Sequence, residues 1–283
     1  SRAAGTYQIG PWKPTWSAAE HADAVAAVRE AIVAGDVYQA NIVGHQQAPF
    51  AGDPAAVGAA LLRLAHTPYA GSMTGDGWSV FSASPECLLE VEAGTALTRP
   101  IKGTAATDPD SGIDLTARAA LQRSEKDRAE HVMIVDLARN DLGRIADIGG
   151  VSVPELYVVR RLAGVWHAES TVTARLSESV GLAELLEAVF PGGSVTGAPK
   201  LSALDIIDRL EPVGRGPSMG ALGWIGADRT IRLGLTIRTV AVADGTIHLW
   251  TGGGITWGSD PVAEVAEAAV KAAPLLRALG AVG

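Results

Sequence analysis

Residues 230–255 read TIRLGLTIRTVAVADGTIHLWTGGGI. Two apolar runs, TIRLGLTIRTVAVA and TIHLWTGG, meet at Asp244-Gly245. That dipeptide is a hairpin signal, because the favoured two-residue turn needs φ > 0 at both central positions. The segment therefore reads as antiparallel strands, and SMGALGWIG (Ser218–Gly226) before it reads the same way. DVYQANIV (Asp36–Val43) and the runs Trp78–Phe81, Glu86–Val91 and Ala96–Ile101 are further strand candidates. Helical patterns fall between these blocks. In SAAE, Ser17 and Glu20 form a capping box, Val25, Val28 and Ile32 follow at helical spacing, and Gly35 stops the helix. A second helix is expected over about Ser124–Asp141. A third opens at GAPK, with Pro199 in its first turn, and a last one is capped by Ser259-Asp260-Pro261 and reaches about Ala278. Strands in hairpins with helices between them predict an α+β fold with largely antiparallel sheets. Residues 1–16 read as an irregular lead-in and 17–283 as one domain.

Composition narrows the function. The chain has 283 residues, 47 % hydrophobic and 19 % charged, enough for a sizeable core. Its net charge of −8 and lack of a basic cluster argue against nucleic acid as a partner. Cys87 is the one cysteine, so no intrachain disulfide forms, which fits a reducing, cytoplasmic setting. No apolar run reaches the roughly 18 residues that a membrane-spanning helix needs. The opening SRAAGTYQIG lacks the apolar core of a signal peptide.

Several side chains are candidates for chemistry. Lys102 lies in RPIKGT (Arg99–Thr104), between Ile101 and Gly103. A strand lysine is ordinarily outward-facing and solvated, yet here a proline precedes it and Gly-Thr follows. Asp127 and Glu130 are three apart on one predicted helix. Glu264 and Glu267 are three apart on another, with Lys271 one turn further. Such pairs are either solvated surface or, taken together, a hard-oxygen site of the kind magnesium prefers. PGGSVTGAPK (Pro191–Lys200) lacks the Gly-Lys-Ser/Thr of a phosphate loop. It is either a turn aiming helix amides at an anion or a tight structural turn. Gly252 to Gly254 either let a ligand approach the backbone or serve a bend. Arg238 in LTIRT is inward with an anionic partner or outward and solvated. His167 in VWHAES reads as a structural histidine. No Ser-His-Asp order, zinc spacing or dinucleotide fingerprint is present. The residues alone thus point to an anionic small molecule held among carboxylates, an arginine and glycine backbone.

GDVYQANI, SASPE, RPIKGT, EKDRAEHVMIVDLARNDLGRI, FPGGSVTGAPK, LTIRT and GGGITWGSDPVAEVAEAAVKA occur in this order from Gly35 to about Ala272. In this the chain resembles the chorismate-utilising enzymes, which include anthranilate synthase component I, aminodeoxychorismate synthase component I, and the isochorismate and salicylate synthases. The resemblance implies a two-layer antiparallel β-sandwich with helices packed outside and the active-site cleft between the sheets. Members usually have a longer N-terminal region. Isochorismate and salicylate synthases carry a lysine base where this chain has Gln39. Anthranilate synthases usually read PIAGT where this chain has PIKGT. The resemblance is therefore closest to aminodeoxychorismate synthase component I, of p-aminobenzoate and folate biosynthesis. The alternatives are anthranilate synthase component I, or a non-catalytic chorismate-binding fragment.

The resemblance further implies that Lys102 is a nucleophile adding to C2 of chorismate and that Glu86 is the acid protonating the departing C4 hydroxyl. Glu130 and Glu267 would ligate Mg2+ directly, with Asp127 and Glu264 holding its waters. Arg238, Gly252 and Gly254 would take the enolpyruvyl carboxylate with Lys271 near, Thr104 and His167 would line the ring, and Asn41 would contact the leaving hydroxyl. Ammonia would come from a glutamine amidotransferase subunit. The chain departs from the family at Cys87, where arginine is common, and at Ser218, where an aromatic residue is common.

Overall fold

The Asp244-Gly245 hairpin forms, with φ of 49° and 70° at the two turn residues. It belongs to a computed structural model that describes residues 5–64, 66–106 and 113–280. Residues 1–4 of the lead-in and 281–283 of the domain expected over 17–283 lie outside the described residues. In chain order the elements begin β1 (Tyr7–Ile9), β2 (Lys13–Pro14), α1 (Ala18–Ala34), β3 (Gln39–Gly52), α2 (Pro54–Leu61) and β4 (Tyr69–Gly75). They continue with β5 (Trp78–Ser84), β6 (Cys87–Glu92), β7 (Thr95–Arg99), β8 (Ile101–Ala105), α3 (Ile113–Arg123) and α4 (Glu125–Gly143). Next come β9 (Ala146–Leu162), β10 (Val165–Leu176), α5 (Leu182–Val189), a 3-10 turn at Gly193–Val195, β11 (Gly197–Ala198) and α6 (Lys200–Leu210). The chain ends with β12 (Ala221–Ile225), β13 (Ile231–Leu235), β14 (Thr239–Ala243), β15 (Thr246–Ile255) and α7 (Pro261–Ala278).

Among the described residues the strands make two antiparallel sheets. The first runs β1-β3-β15-β14-β5-β4, with β2 and β11 also on β3; the second runs β12-β13-β6-β7-β10-β8, with β9 on β10. Period-two alternation decides which side chains face which layer. Val240, Val242, Ile247 and Leu249 point outward and pack with α2 and α7, while Ala241 and Trp250 join Val43 and Met219 in a separate cluster. On the second sheet Leu89, Val91, Val172 and Ala174 pack under α4 and α5. Helices thus cover the outer faces, and the α+β sandwich expected from the sequence is the fold.

Three expectations need correction. Part of the lead-in is regular: β1 and β2 both pair with β3, so residues 7–9 and 13–14 belong to the first sheet. The run Ala96–Ile101 is two strands, because Pro100 has no N–H to give a ladder. TIRLGLTIRTVAVA is also two strands, and they lie in different sheets: β13 pairs with β6, β14 with β5. The crossing is at Arg238, whose φ of 53° is unusual for a non-glycine residue and costs about 1 kcal/mol. A second crossing runs from β5 to β6 through Pro85 and Glu86. The two crossings are tied to the strands beside them, Leu235 N–H donating to Glu86 O (3.1 Å) and Ala83 N–H to Arg238 O (3.0 Å). No helix among the described residues is long and apolar enough to cross a membrane.

Candidate active site

Because Glu86 and Arg238 sit where the chain passes between sheets, their side chains enter the space between the layers. Asn41 from β3 and Gly252 and Gly254 from β15 reach the same cavity from the first sheet. Lys102 and Thr104 from β8 and His167 from β10 reach it from the second, and Glu267 and Lys271 of α7 reach it as well. A larger hollow of about 760 Å³ lies along β4 and α2, but Asp53 and Asp244 are its only charged lining residues. Convergent polar chemistry therefore places the candidate site between the sheets.

Glu86 is 4 % exposed. Its Oε1 accepts from Ser194 Oγ at 2.6 Å and from Ile101 N–H at 3.3 Å. Burial pushes its carboxyl up to about 7, against the Ser194 and Ile101 donors. About half of the Glu86 carboxyls are therefore protonated at neutral pH, where an ordinary glutamate is ionised.

Arg238 is 5 % exposed, and among the described residues it has no carboxylate within ion-pair distance. Burial lowers its guanidinium to about 10, still charged at pH 7. It donates to Ala163 O at 3.4 Å and to His167 Nε2 at 3.1 Å. An arginine only donates, so His167 Nε2 accepts and the ring proton sits on Nδ1, facing Gly103 O and Thr104 Oγ1, each at 3.2 Å. Burial and Arg238 hold His167 down at about 3, so the ring is neutral. A buried cation without a carboxylate is an anion site in waiting.

Lys102 Nζ lies 2.5 Å from Gly254 O and 3.2 Å from Glu130 Oε2. Lys271 Nζ lies 2.8 Å from Glu267 Oε1 and 2.9 Å from Gly252 O. The glycine contacts seen here are thus made by carbonyls holding ammonium groups. Glycine is required at both ends of this arrangement. A Cβ on residue 252 would lie 1.9 Å from Ile42 O, and Gly103, beside Lys102, has φ of 98°. Burial opposes ionisation of Glu267, but Lys271 and Lys102 outweigh it and the carboxyl stands at about 2. Glu264 is raised by burial and by Glu267, though Ser259 Oγ donates to it at 2.6 Å. Glu130 Oε1 accepts from Thr256 Oγ1 at 2.7 Å. Asp127 stands beside Gly103: a Cβ there would be 3.6 Å from Asp127 Oδ1.

Lys102 thus pairs with Glu130 and also favours ionisation of Glu264 and Glu267. The Lys102 charge thus acts on carboxylates of both α4 and α7, whose oxygens are of the type that a hard divalent cation takes. Among the described residues no three His, Cys, Asp or Glu side chains lie close enough to share a metal ion.

Other residues fall elsewhere. Cys87 is buried with its thiol pushed up to about 12 by burial, so it is no nucleophile. Ser218 is buried and donates to Thr236 O at 3.4 Å; Met219 and Trp250 line the cleft instead. Pro199 caps α6 from outside, and Lys200 pairs with Asp141 at 2.9 Å. The glycine-rich stretch places the Ser194 hydroxyl on Glu86. Sequence reading missed Ser194 and His131. His131 Nδ1 lies 3.0 Å from Lys102 O and its Nε2 2.6 Å from Ser170 Oγ. Its only signal was a histidine next to Glu130 on a helix that otherwise reads as acid-bearing surface.

Comparison with known proteins gives the family. The chain is 40 % identical over 269 residues to anthranilate synthase component 1 of Streptomyces coelicolor, covering 95 % of this chain and 53 % of that protein. It is also 40 % identical over 256 residues to aminodeoxychorismate synthase component 1 of Klebsiella aerogenes, covering 90 % and 57 %. The crystal structure of anthranilate synthase component I from Streptococcus pneumoniae superposes with a TM-score of 0.85 at 30 % identity, over 95 % of this chain and 60 % of that one. The chain spans little more than half the length of these curated relatives. The sequence profile of the chorismate binding enzymes matches residues 1–277, and the chain belongs to that family.

Proposed function

We propose that this chain is the chorismate-binding catalytic region of an aminodeoxychorismate synthase component I, converting chorismate and ammonia to 4-amino-4-deoxychorismate in a cytoplasmic setting. The observation that carries the reading is Lys102, which lines the same cavity as Glu86, a carboxyl that burial keeps partly protonated at neutral pH. Arg238 would take a carboxylate of chorismate, with Thr104, His167 and Asn41 against the ring and its hydroxyl. Lys102 must first leave Glu130 and give up a proton to water, since only the neutral amine has a lone pair to donate. Its nitrogen then bonds to C2, the ring double bonds shift, and the C4–O bond breaks. Glu86 delivers the proton that lets the hydroxyl leave as water. Ammonia bonds to C4, the double bonds shift back and the C2–lysine bond breaks. Glu86, now a carboxylate, accepts the proton that the new amine sheds.

Glu130 and Glu267 are the residues that would hold a magnesium ion, and Glu264 and Asp127 would hold its waters. Such an ion would supply positive charge for a substrate carboxylate. A glutamine amidotransferase subunit would supply the ammonia. A second reading, anthranilate synthase component I, is favoured by the Streptomyces coelicolor relative, equal in identity to the aminodeoxychorismate synthase. Lys102 weighs against it, because its amine would occupy the C2 side where that reaction needs ammonia. Chromatography of products from chorismate, magnesium and ammonium separates the outcomes. Aminodeoxychorismate is expected; anthranilate with pyruvate, isochorismate, or no product each reject the proposal.

A further inference from the structure

We propose that Ser194 is a positioning residue for Glu86: its hydroxyl fixes which carboxyl oxygen carries the proton and so aims that proton into the cleft. The inference deepens the proposed function and rests on Glu86 acting as its acid. Glu86 Oε1 accepts two donors, Ser194 Oγ at 2.6 Å and Ile101 N–H at 3.3 Å. In a neutral carboxyl the oxygen that accepts two hydrogen bonds is the carbonyl oxygen. With Ser194 and Ile101 both donating to Oε1, the O–H is assigned to Oε2, for which no hydrogen-bond partner stands among the described residues. Without Ser194 only one long backbone bond would distinguish the two oxygens, and the proton would be shared between them.

The hydroxyl comes from a braced turn. Asn41 N–H donates to Thr196 O at 2.8 Å, and Asn41 Nδ2 makes a long contact of 3.5 Å with Ser194 O. Arg215 Nη1 donates to Val195 O at 2.7 Å and Arg215 Nη2 to Asn41 O at 2.9 Å. Glu211 pairs with that guanidinium at 2.6 Å and accepts Val43 N–H at 2.9 Å. On the other side the turn lies against α4: a Cβ on Gly193 would fall 2.3 Å from Leu137 Cδ2. Ser194 is thus pressed between α4 and β3 with its hydroxyl on the acid. The charged groups acting on Glu86 are Glu169 of β10, which disfavours its ionisation, and Lys271 of α7, which favours it. Burial outweighs both, and the Ser194 donor opposes burial by stabilising the carboxylate.

The test reads Glu86 in the free protein, without chorismate, so it does not depend on the reaction proposed. The infrared carbonyl band of the protonated carboxyl, assigned by its loss in Glu86→Gln, is followed against pH in wild type, Ser194→Ala, Ser194→Cys and Ser194→Thr. The wild-type midpoint is expected near 7. Ser194→Ala should move it up by about one pH unit, a tenfold change in the proton equilibrium, and raise the band frequency because the carbonyl oxygen loses a donor. Ser194→Cys, a weak donor of similar size, should move both in the same direction by less, and it serves if the alanine variant does not fold. Ser194→Thr should restore both. With chorismate and ammonia, Ser194→Ala should lower kcat about tenfold, shift the alkaline limb of the pH profile upward and leave the chorismate KM within twofold. An unchanged midpoint and frequency in the alanine and cysteine variants, or failure of threonine to restore them, overturns the role of Ser194. A shifted titration in a protein that makes no aminodeoxychorismate instead rejects the proposed reaction.

Discussion

Glu86→Gln separates catalysis from stability at one atom. The glutamine amide keeps the geometry: its oxygen can stay on Ser194 and Ile101 N–H, and its NH2 stands where the protonated oxygen stood. The substitution removes the titration. In wild type the carboxyl moves from an ordinary 4.5 to about 7 on folding. Over that range the folded protein holds a proton that the unfolded chain has already lost. Wild-type stability from this group is therefore complete below pH 4.5 and falls as pH rises toward and through 7. The difference of about 2.5 pH units, at 1.36 kcal/mol each, makes the loss about 3 kcal/mol as an order of magnitude. Glutamine loses nothing over the same window. Urea unfolding of both proteins at several pH values between 4 and 8 should therefore show Glu86→Gln gaining on wild type by about 3 kcal/mol across the range. Activity should fall by about 10²–10⁴-fold, the usual contribution of a positioned acid. A stability gap that stays flat with pH refutes the burial argument, and an activity loss under about tenfold refutes the acid role.

Arg238→Met removes a buried cation that lacks a carboxylate, so the melting temperature should hold or rise while the chorismate KM increases tenfold or more; a lower Tm with an unchanged KM would place the arginine in the scaffold. Glu267→Gln should weaken magnesium activation, seen as a higher magnesium concentration for half-maximal rate. Normal turnover at limiting magnesium would remove Glu267 from the metal site.

What was legible in the sequence was local. The Asp244-Gly245 turn, the Ser17–Glu20 capping box and the Asp260 cap each depend on neighbours within a few residues, and each forms. The crossing at Arg238 was not legible, because β13 and β14 read as one apolar run and only pairing with β6 and β5 divides them. Strand β1 carries little pattern of its own and exists through its ladder with β3. Among the site residues, the helix spacing of Glu264, Glu267 and Lys271 was visible, and the Glu267–Lys271 pair follows from it. Ser194 was hidden because its partner lies 108 residues away and its glycine-rich setting suggested an anion loop. Arg238 showed its chemistry only once its position between sheets explained why a strand arginine should be buried.

The central claim is that the Lys102 amine bonds to the ring of chorismate. Intact-protein mass spectrometry with chorismate and magnesium, ammonia being excluded, tests it most directly. The expected result is a protein species heavier by chorismate less one water, mapping by peptide digestion to Lys102, absent in Lys102→Ala and discharged on adding ammonium. The contrary result is no adduct together with aminodeoxychorismate formed by Lys102→Ala at the wild-type rate, which would return Lys102 to the role of a cleft-lining partner of Glu130.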